Sequence, residues 1–451
     1  MEPHMILAAD PVALSAGDTA WVLVATAFVM IMVPGLALFY GGLVRGKNAL
    51  NTIMMSLVPL GIVTVQWVLI GYSLSFAPGN GIIGGLSWWG FEGVGASANA
   101  TYAATIPHVL FALFQCMFAV ITVGLISGAV VERMKFSAYL VFALAWTTLV
   151  YDPLAHWVWG DGGFLRNLGA LDFAGGTVVH VSAGTSALVA ALVLGRRRVV
   201  GRAPLVPHSV PLTLFGVGLL WFGWFGFNAG SALSAGELAA MAFATTHTAA
   251  AAGLVAWILL DLARTGRATA VGAGTGAVIG LVAITPAAGF VTVRAALAIG
   301  VLAALASYAA MQIRARTSLD DTLDVFSCHG VAGIVGALLT GVFATKSVNP
   351  AGADGFFAGG GFHQLGVQAV AVIVTMVLAG AATAGILVAI RATMGVCVSL
   401  NEEVTGLDSS EHGEEAYHAG DLGEMGGSAG ALGHGVVLIR PGVGKIQRRA
   451  S

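Results

Sequence analysis

Charge is what this sequence has least of. Only 9% of its 451 residues are Asp, Glu, Lys or Arg, against about 25% in an ordinary soluble domain. So little charge cannot coat a water-facing surface of this size, and a soluble globular protein is excluded. The net charge of -2 provides no basic field for nucleic acid. Cysteine is scarce too: Cys116, Cys328 and Cys397 are an odd set in apolar stretches, so they read as small hydrophobes rather than a disulfide frame. The first 18 residues have no basic start and no full apolar core, so no cleaved signal peptide is expected. Phosphate loops, zinc-hydrolase helices and nucleophile elbows are all missing, and the scattered Gly-x-Gly patterns carry little weight in a chain with 63 glycines.

What the chain does have is long apolar runs. About 20 such residues cross a bilayer as a helix. On that measure the sequence predicts an all-α polytopic membrane protein with eleven spans, near 19–41, 51–74, 106–130, 137–155, 173–194, 209–231, 237–260, 268–286, 291–313, 324–344 and 364–391. Between the eighth and ninth the only punctuation is Thr285-Pro-Ala-Ala-Gly289. With the N-terminus out and the C-terminus in, 13 Lys and Arg fall on inner loops and 3 on outer ones, with four more in the tail. That bias sets the orientation. Residues 77–105, 156–172 and 347–363 read as outer loops, the first carrying Trp88-Trp89.

An odd span count fits a five-plus-five inverted repeat, about 19–195 and 209–345, followed by an eleventh helix near 364–391. His180 with Gly184, and His329 with Gly333, sit at matching places in the two halves, each after an aspartate, Asp172 or Asp324. Asp172 fits the N-cap of the fifth span, and Asp324 a cap of the tenth. A histidine within hydrocarbon needs a polar partner. Three readings stay open for the pair: separate core histidines bonded to backbone carbonyls, a metal pair, or a polar relay facing across a pore. Among the aromatics, Phe111, Phe114 and Phe118 share helical spacing, Trp157 and Trp159 end the fourth span, and Trp221, Trp224, Phe225 and Phe227 crowd the sixth ahead of Ser231. Packing accounts for most such stripes, although ring faces and a hydroxyl would also suit a cation arriving from water. After residue 395 comes an acidic segment ending at Tyr417, then a Gly-rich extension, 418–451, expected to be flexible.

The pieces VPGLALFYGGLVRGKN (33–48), ATIPHVLFALFQCMF (104–118), ERMKFSAY (132–139), HWVWGDGG (156–163), LDFAGGTVVH (171–180), WFGWFGFNAGSAL (221–233), ITPAAGFV (284–291), DTLDVFSCHGVAGIVG (321–336) and EEVTGLDSSEHGEEAY (402–417) occur in order. Together they resemble the Amt/Mep/Rh ammonium transporter family, in its bacterial Amt branch, over about residues 18–417. The resemblance implies an eleven-helix transport domain (19–395), a homotrimer with one pore per subunit, ammonium or ammonia as cargo, no cofactor, and a place in the inner (plasma) membrane. By motif, Phe118, Trp159 and Ser231 look like the outer cation site, Phe118 and Phe227 like the gate beneath it, and His180, His329 and Trp224 like the pore. Asp172 resembles the aspartate that supports the outer site. The segment 396–417, to Tyr417, looks like the cytoplasmic region that meets a PII-type signal protein. The extension 418–451 and the lack of a cleaved signal depart from the family pattern. Three rivals remain: an ammonium sensor signalling through its tail, a membrane enzyme using the histidines with a metal, and a neutral gas channel of the Rh type. No stretch reads as a kinase, cyclase or receiver, which weighs against the sensor; Trp159 and Ser231 weigh against the gas channel.

Overall fold

Apolar runs this long must satisfy their own backbone, and helices do so without outside partners. The computed structural model describes residues 13–198 and 206–417. The expected extension 418–451, most of the N-terminal segment and Arg202 lie outside these residues. A first unit runs to Ala416, and a second begins at Tyr417, of which only that residue is described.

The helices are α1 (Ala16–Leu43), α2 (Gly46–Phe76), α3 (His108–Val130), α4 (Phe136–Leu168), α5 (Gly176–Leu194), α6 (Val210–Gly230), α7 (Glu237–Thr265), α8 (Ala270–Ile284), α9 (Val293–Arg314), α10 (Phe326–Phe343) and α11 (His363–Thr393). Ten of them are long and apolar enough to cross a membrane; α8, at the expected eighth span, is a shorter apolar helix. Four starts are fixed by hydroxyl caps: Ser15, Ser209, Thr269 and Thr292 each accept a backbone N–H of the first turn. The break at Thr285–Val291 separates α8 from α9 where the sequence placed it. Large apolar side chains such as Val65, Phe215, Leu259 and Val377 stay on the outside of the bundle, where lipid tails would cover them.

Two expectations are corrected. The region 156–172 is not all loop: α4 stays helical through Trp159 and resumes at Phe164–Leu168. The outer segment 77–105 and the residues after it are not free of strand, since Ala98–Asn99 pairs antiparallel with Ala103–Pro107. A short helix α12 (Leu400–Thr405), with its capping box, gives the acidic tail a defined fold. Asp408 then accepts from Leu50 and Asn51 N–H at 3.0 and 2.8 Å, near the N-terminal end of α2, and Asn48 Oδ1 accepts from Leu407 N–H at 2.8 Å.

Four helices carry wide π turns, which cluster at polar positions. Two lie at Gly176–Val181 and Phe326–Val331, and each holds one of the histidines. The other two, Trp67–Gly71 and Thr147–Tyr151, flank a contact between α2 and α4. There Gln66 Nε2 donates to Asp152 Oδ2 at 2.6 Å, both side chains being buried, while Asp152 Oδ1 finds no protein partner.

Candidate functional site

Helices α5 and α10 approach each other backbone to backbone. A Cβ on Gly184 would lie 2.1 Å from Gly330 N and 2.3 Å from its Cα. A Cβ on Gly333 would meet His180 Cβ at 3.1 Å. Small residues on both helices allow this approach, and it sets His180 against His329. Their Nδ1 atoms are 3.4 Å apart, and the rings are offset at 5.4 Å and 27°. Of the three readings the sequence left open, separate histidines fall away. For the two nitrogens to share a proton, the neutral rings must take opposite tautomers, one donating and one accepting. His180 Nε2 is buried and has no protein partner.

Above the pair, Phe227 stacks near His180 at 6.1 Å and packs on Phe118 at 4.2 Å and 30°. Both phenylalanines are at most 1% exposed. Trp224 stacks on His180 at 5.4 Å and donates its indole N–H to Thr285 Oγ1 at 2.9 Å. On the other side of Phe118 is a cavity of about 220 Å³ lined by Phe76, Phe111, Gln115, Trp159 and Ser231 among others. The Trp159 ring stands edge-on to Phe118 at 6.2 Å and 87°. Ser231 Oγ donates its proton to Phe227 O at 2.9 Å, which leaves the oxygen free to accept from a guest. Phe114 touches Phe118 from behind, and Trp157 bonds to Ile82 O; neither lines the cavity.

Asp172 holds both levels together. Its carboxylate accepts from Gly175, Gly176, Thr177 and Val178 N–H at 2.7, 2.6, 2.7 and 3.2 Å, and from the Thr177 hydroxyl. Its backbone carbonyl accepts the Trp159 indole N–H at 2.9 Å. In the second half, Asp324 is not the matching cap. Its backbone stands at φ 58°, and its side chain pairs with Arg314 at 2.5 Å. The cap is Asp321, which accepts from Val325 and Phe326 N–H at 3.1 and 2.8 Å. Asp172 and Asp321 each precede their histidine by eight residues, and that equal spacing was the signal the sequence offered.

Around the histidines the space shrinks to about 10 Å³, walled by Leu36, Ile121, Val179, Leu220 and Phe227 with others. That is about room for one water-sized guest. On the far side of the histidines lies a cavity of about 180 Å³, bounded in part by Arg45, Glu132, Arg197 and Cys328. Glu132 takes Arg45 at 2.9 Å, Asn48 at 2.8 Å and Arg197 at 2.7 Å; Arg197 also pairs with Asp320 at 2.8 Å. Burial opposes ionisation of Glu132, but Arg45 and Arg197 outweigh it and hold the carboxyl below the ordinary glutamate range. A lowered folded-state value stabilises the fold above the unfolded value, about 4.3, and that contribution is lost as pH falls through the folded value. Acid titration in detergent should therefore show stability falling below about pH 4. Glu132→Gln should lack that acid-dependent loss and should melt lower at neutral pH, since it takes from Arg45 its carboxylate partner and leaves Arg197 with Asp320 alone, at a cost of about 3 kcal/mol.

Among the described residues no group of three or more His, Cys, Asp or Glu comes together. Two imidazole nitrogens alone fall short of a zinc ligand set.

A family model described as the Ammonium Transporter Family matches residues 20–417. The ammonium transporter of Bacillus subtilis is 49% identical over 402 residues, covering 89% of this chain and 98% of its own. That of Aquifex aeolicus is 49% identical over 409 residues, covering 90% and 94%. Among solved structures, Candida albicans Mep2 superposes with a TM-score of 0.81 at 36% identity, covering 86% of this chain and 88% of its own. A structure described as Sensor Amt Protein gives a TM-score of 0.79 at 29% identity, covering 88% and 98%.

Proposed function

The chain belongs to the Ammonium Transporter Family and is a membrane ammonium transporter rather than an enzyme; on that premise we propose how its cavities divide the work. Ammonium is captured in the outer cavity by Trp159, Phe118 and Ser231, loses its proton there, and passes the Phe118–Phe227 gate as ammonia. His180 and His329 carry the proton separately toward the inner cavity. The observation behind this reading is the order of the passage: a cavity with ring faces and a free oxygen, then two stacked phenyl rings, then paired imidazoles in a dry wall. An ammonium ion in that wall would face a desolvation cost of tens of kcal/mol, so the neutral molecule enters instead. Potassium carries the same charge but has no proton to lose, which gives discrimination.

The same reading takes eleven spans as a five-plus-five inverted repeat plus one, with the N-terminus out, in the inner (plasma) membrane. It takes residues 19–395 as the transport domain, assembled as a homotrimer. Residues 396–417 form a cytoplasmic regulatory segment open to a PII-type partner.

Currents from protein reconstituted on supported membranes test the mechanism. An ammonium pulse should give a current that potassium does not. His180→Ala should lose that current at least tenfold while still supporting growth on limiting ammonium, because ammonia needs no relay. Unchanged current and selectivity in that variant would sink the separate paths.

A second reading, an ammonium sensor, is favoured by the similarity to Sensor Amt Protein and by the tail's bonds to α2. Deleting 402–451 separates the two: a sensor loses signalling with its small flux intact, whereas a regulated transporter changes flux.

A further inference from the structure

We propose that Gln115 is a second oxygen acceptor for the ammonium ion in the outer cavity, beside Ser231. This rests on the reading of that cavity as the capture site. Gln115 lies four residues after Phe111 and three before Phe118 on α3, so all three side chains fall on one helix face. All three line the cavity. Phe111 is engaged in ring contacts with Tyr102 and Phe76, and Phe118 stacks on Phe227. Gln115 is the polar group between them.

Its Oε1 is buried and has no hydrogen-bond partner in the protein. A buried amide oxygen without a donor is uncommon and calls for an explanation. Oε1 is turned out of the cavity that Gln115 lines, and a half-turn of the amide would present it to the guest. Ammonium brings four N–H groups. The rings of Phe118 and Trp159 satisfy some of them through their faces, and Ser231 Oγ accepts one. A second neutral oxygen completes the replacement of the ion's water. The terminal amide torsion is soft and roughly two-fold. Since Oε1 has no protein partner, turning it toward the ion breaks no hydrogen bond of the oxygen. A neutral amide also suits release: it holds the cation without the grip of a carboxylate, so the proton can still leave.

The test uses full-length protein reconstituted on supported membranes, with ammonium pulses over a concentration series. Gln115→Met removes the acceptor at similar volume. It should raise the half-saturating ammonium concentration about tenfold, the worth of one hydrogen bond to a charged group, with maximal current within about twofold of wild type. Gln115→Glu keeps an oxygen and adds charge, so it should bring half-saturation below wild type and slow turnover. The rise in Gln115→Met supports the proposal, because a wall residue that only fills space would leave half-saturation unchanged at similar volume, and Gln115→Glu then shows that charge at this position reaches the ion. An unchanged half-saturation in Gln115→Met overturns it while leaving the capture site standing. If Gln115→Met fails to fold, Gln115→Leu, which also lacks the acceptor, takes its place with the same expected rise. A silent wild type would remove the capture reading itself, and this proposal with it.

Discussion

Gly184→Ala is expected to give no folded protein. The added methyl would lie 2.1 and 2.3 Å from Gly330 N and Cα and 3.0 Å from His329 C. Every one of these is a backbone atom, so no side chain can rotate aside. The methyl fits only if the segment carrying His329 moves, and overpacking of this kind costs about 3 kcal/mol or more. The displacement also separates two imidazole nitrogens now 3.4 Å apart. Size exclusion in detergent should show aggregate in place of a single peak, and ammonium uptake should fall to background. Gly330→Ala is the control: its methyl meets the Phe326 ring edge at 2.6 Å and backbone, at Gly184 Cα, only at 3.4 Å, so a side chain rather than the backbone must shift and this variant should fold with a lower melting point. A Gly184→Ala protein with wild-type melting would mean that the helices are not in backbone contact.

Asp172→Ala is the second severe case. It strands the four N–H groups of Gly175 to Val178 and the Thr177 hydroxyl. Each buried donor left unmade costs about 1–3 kcal/mol, so the loss reaches several kcal/mol even after local relaxation. The turn it holds also carries the acceptor for Trp159 on one side and His180 on the other. Ammonia uptake, followed with a pH-sensitive dye, should fall at least a hundredfold. Asp172→Asn keeps an acceptor oxygen and should be milder in melting. Asp321→Ala, which frees only two N–H groups, should be milder still. Equal effects from Asp172→Ala and Asp321→Ala would contradict the cap geometry.

Much of this was legible in the sequence because bilayer physics is legible. Hydropathy marked the ten helices long and apolar enough to cross a membrane, the shorter α8, and the break that separates it from α9. Phe118, Trp159 and Ser231 line one cavity, and Phe118, Phe227, Trp224, His180 and His329 follow one another in contact. Local chemistry was harder to read. Asp324 stands nearer its histidine than Asp321 does, and proximity in sequence misled, because Asp324's backbone turns it toward Arg314. Gln115 sat inside a quoted motif, but its significance depends on Oε1 lacking a donor, which only packing decides. The Gln66–Asp152 pair joins positions 86 residues apart, and hydropathy windows average such polar residues away.

That pair bears on how the chain reaches the membrane. An aspartate at mid-span costs about 2.5–3.5 kcal/mol for translocon insertion, and the segment bearing Asp152 has a mean hydropathy of 1.3, below that of every other candidate span. Taken alone it is the hardest of them to insert. The helix that carries Gln66 is synthesised first, so its amide is already waiting when Asp152 emerges from the ribosome. Biogenesis thus acquires a sequence of events: the fourth helix enters hydrocarbon after its partner, and loss of Gln66 would leave Asp152 to enter without that amide.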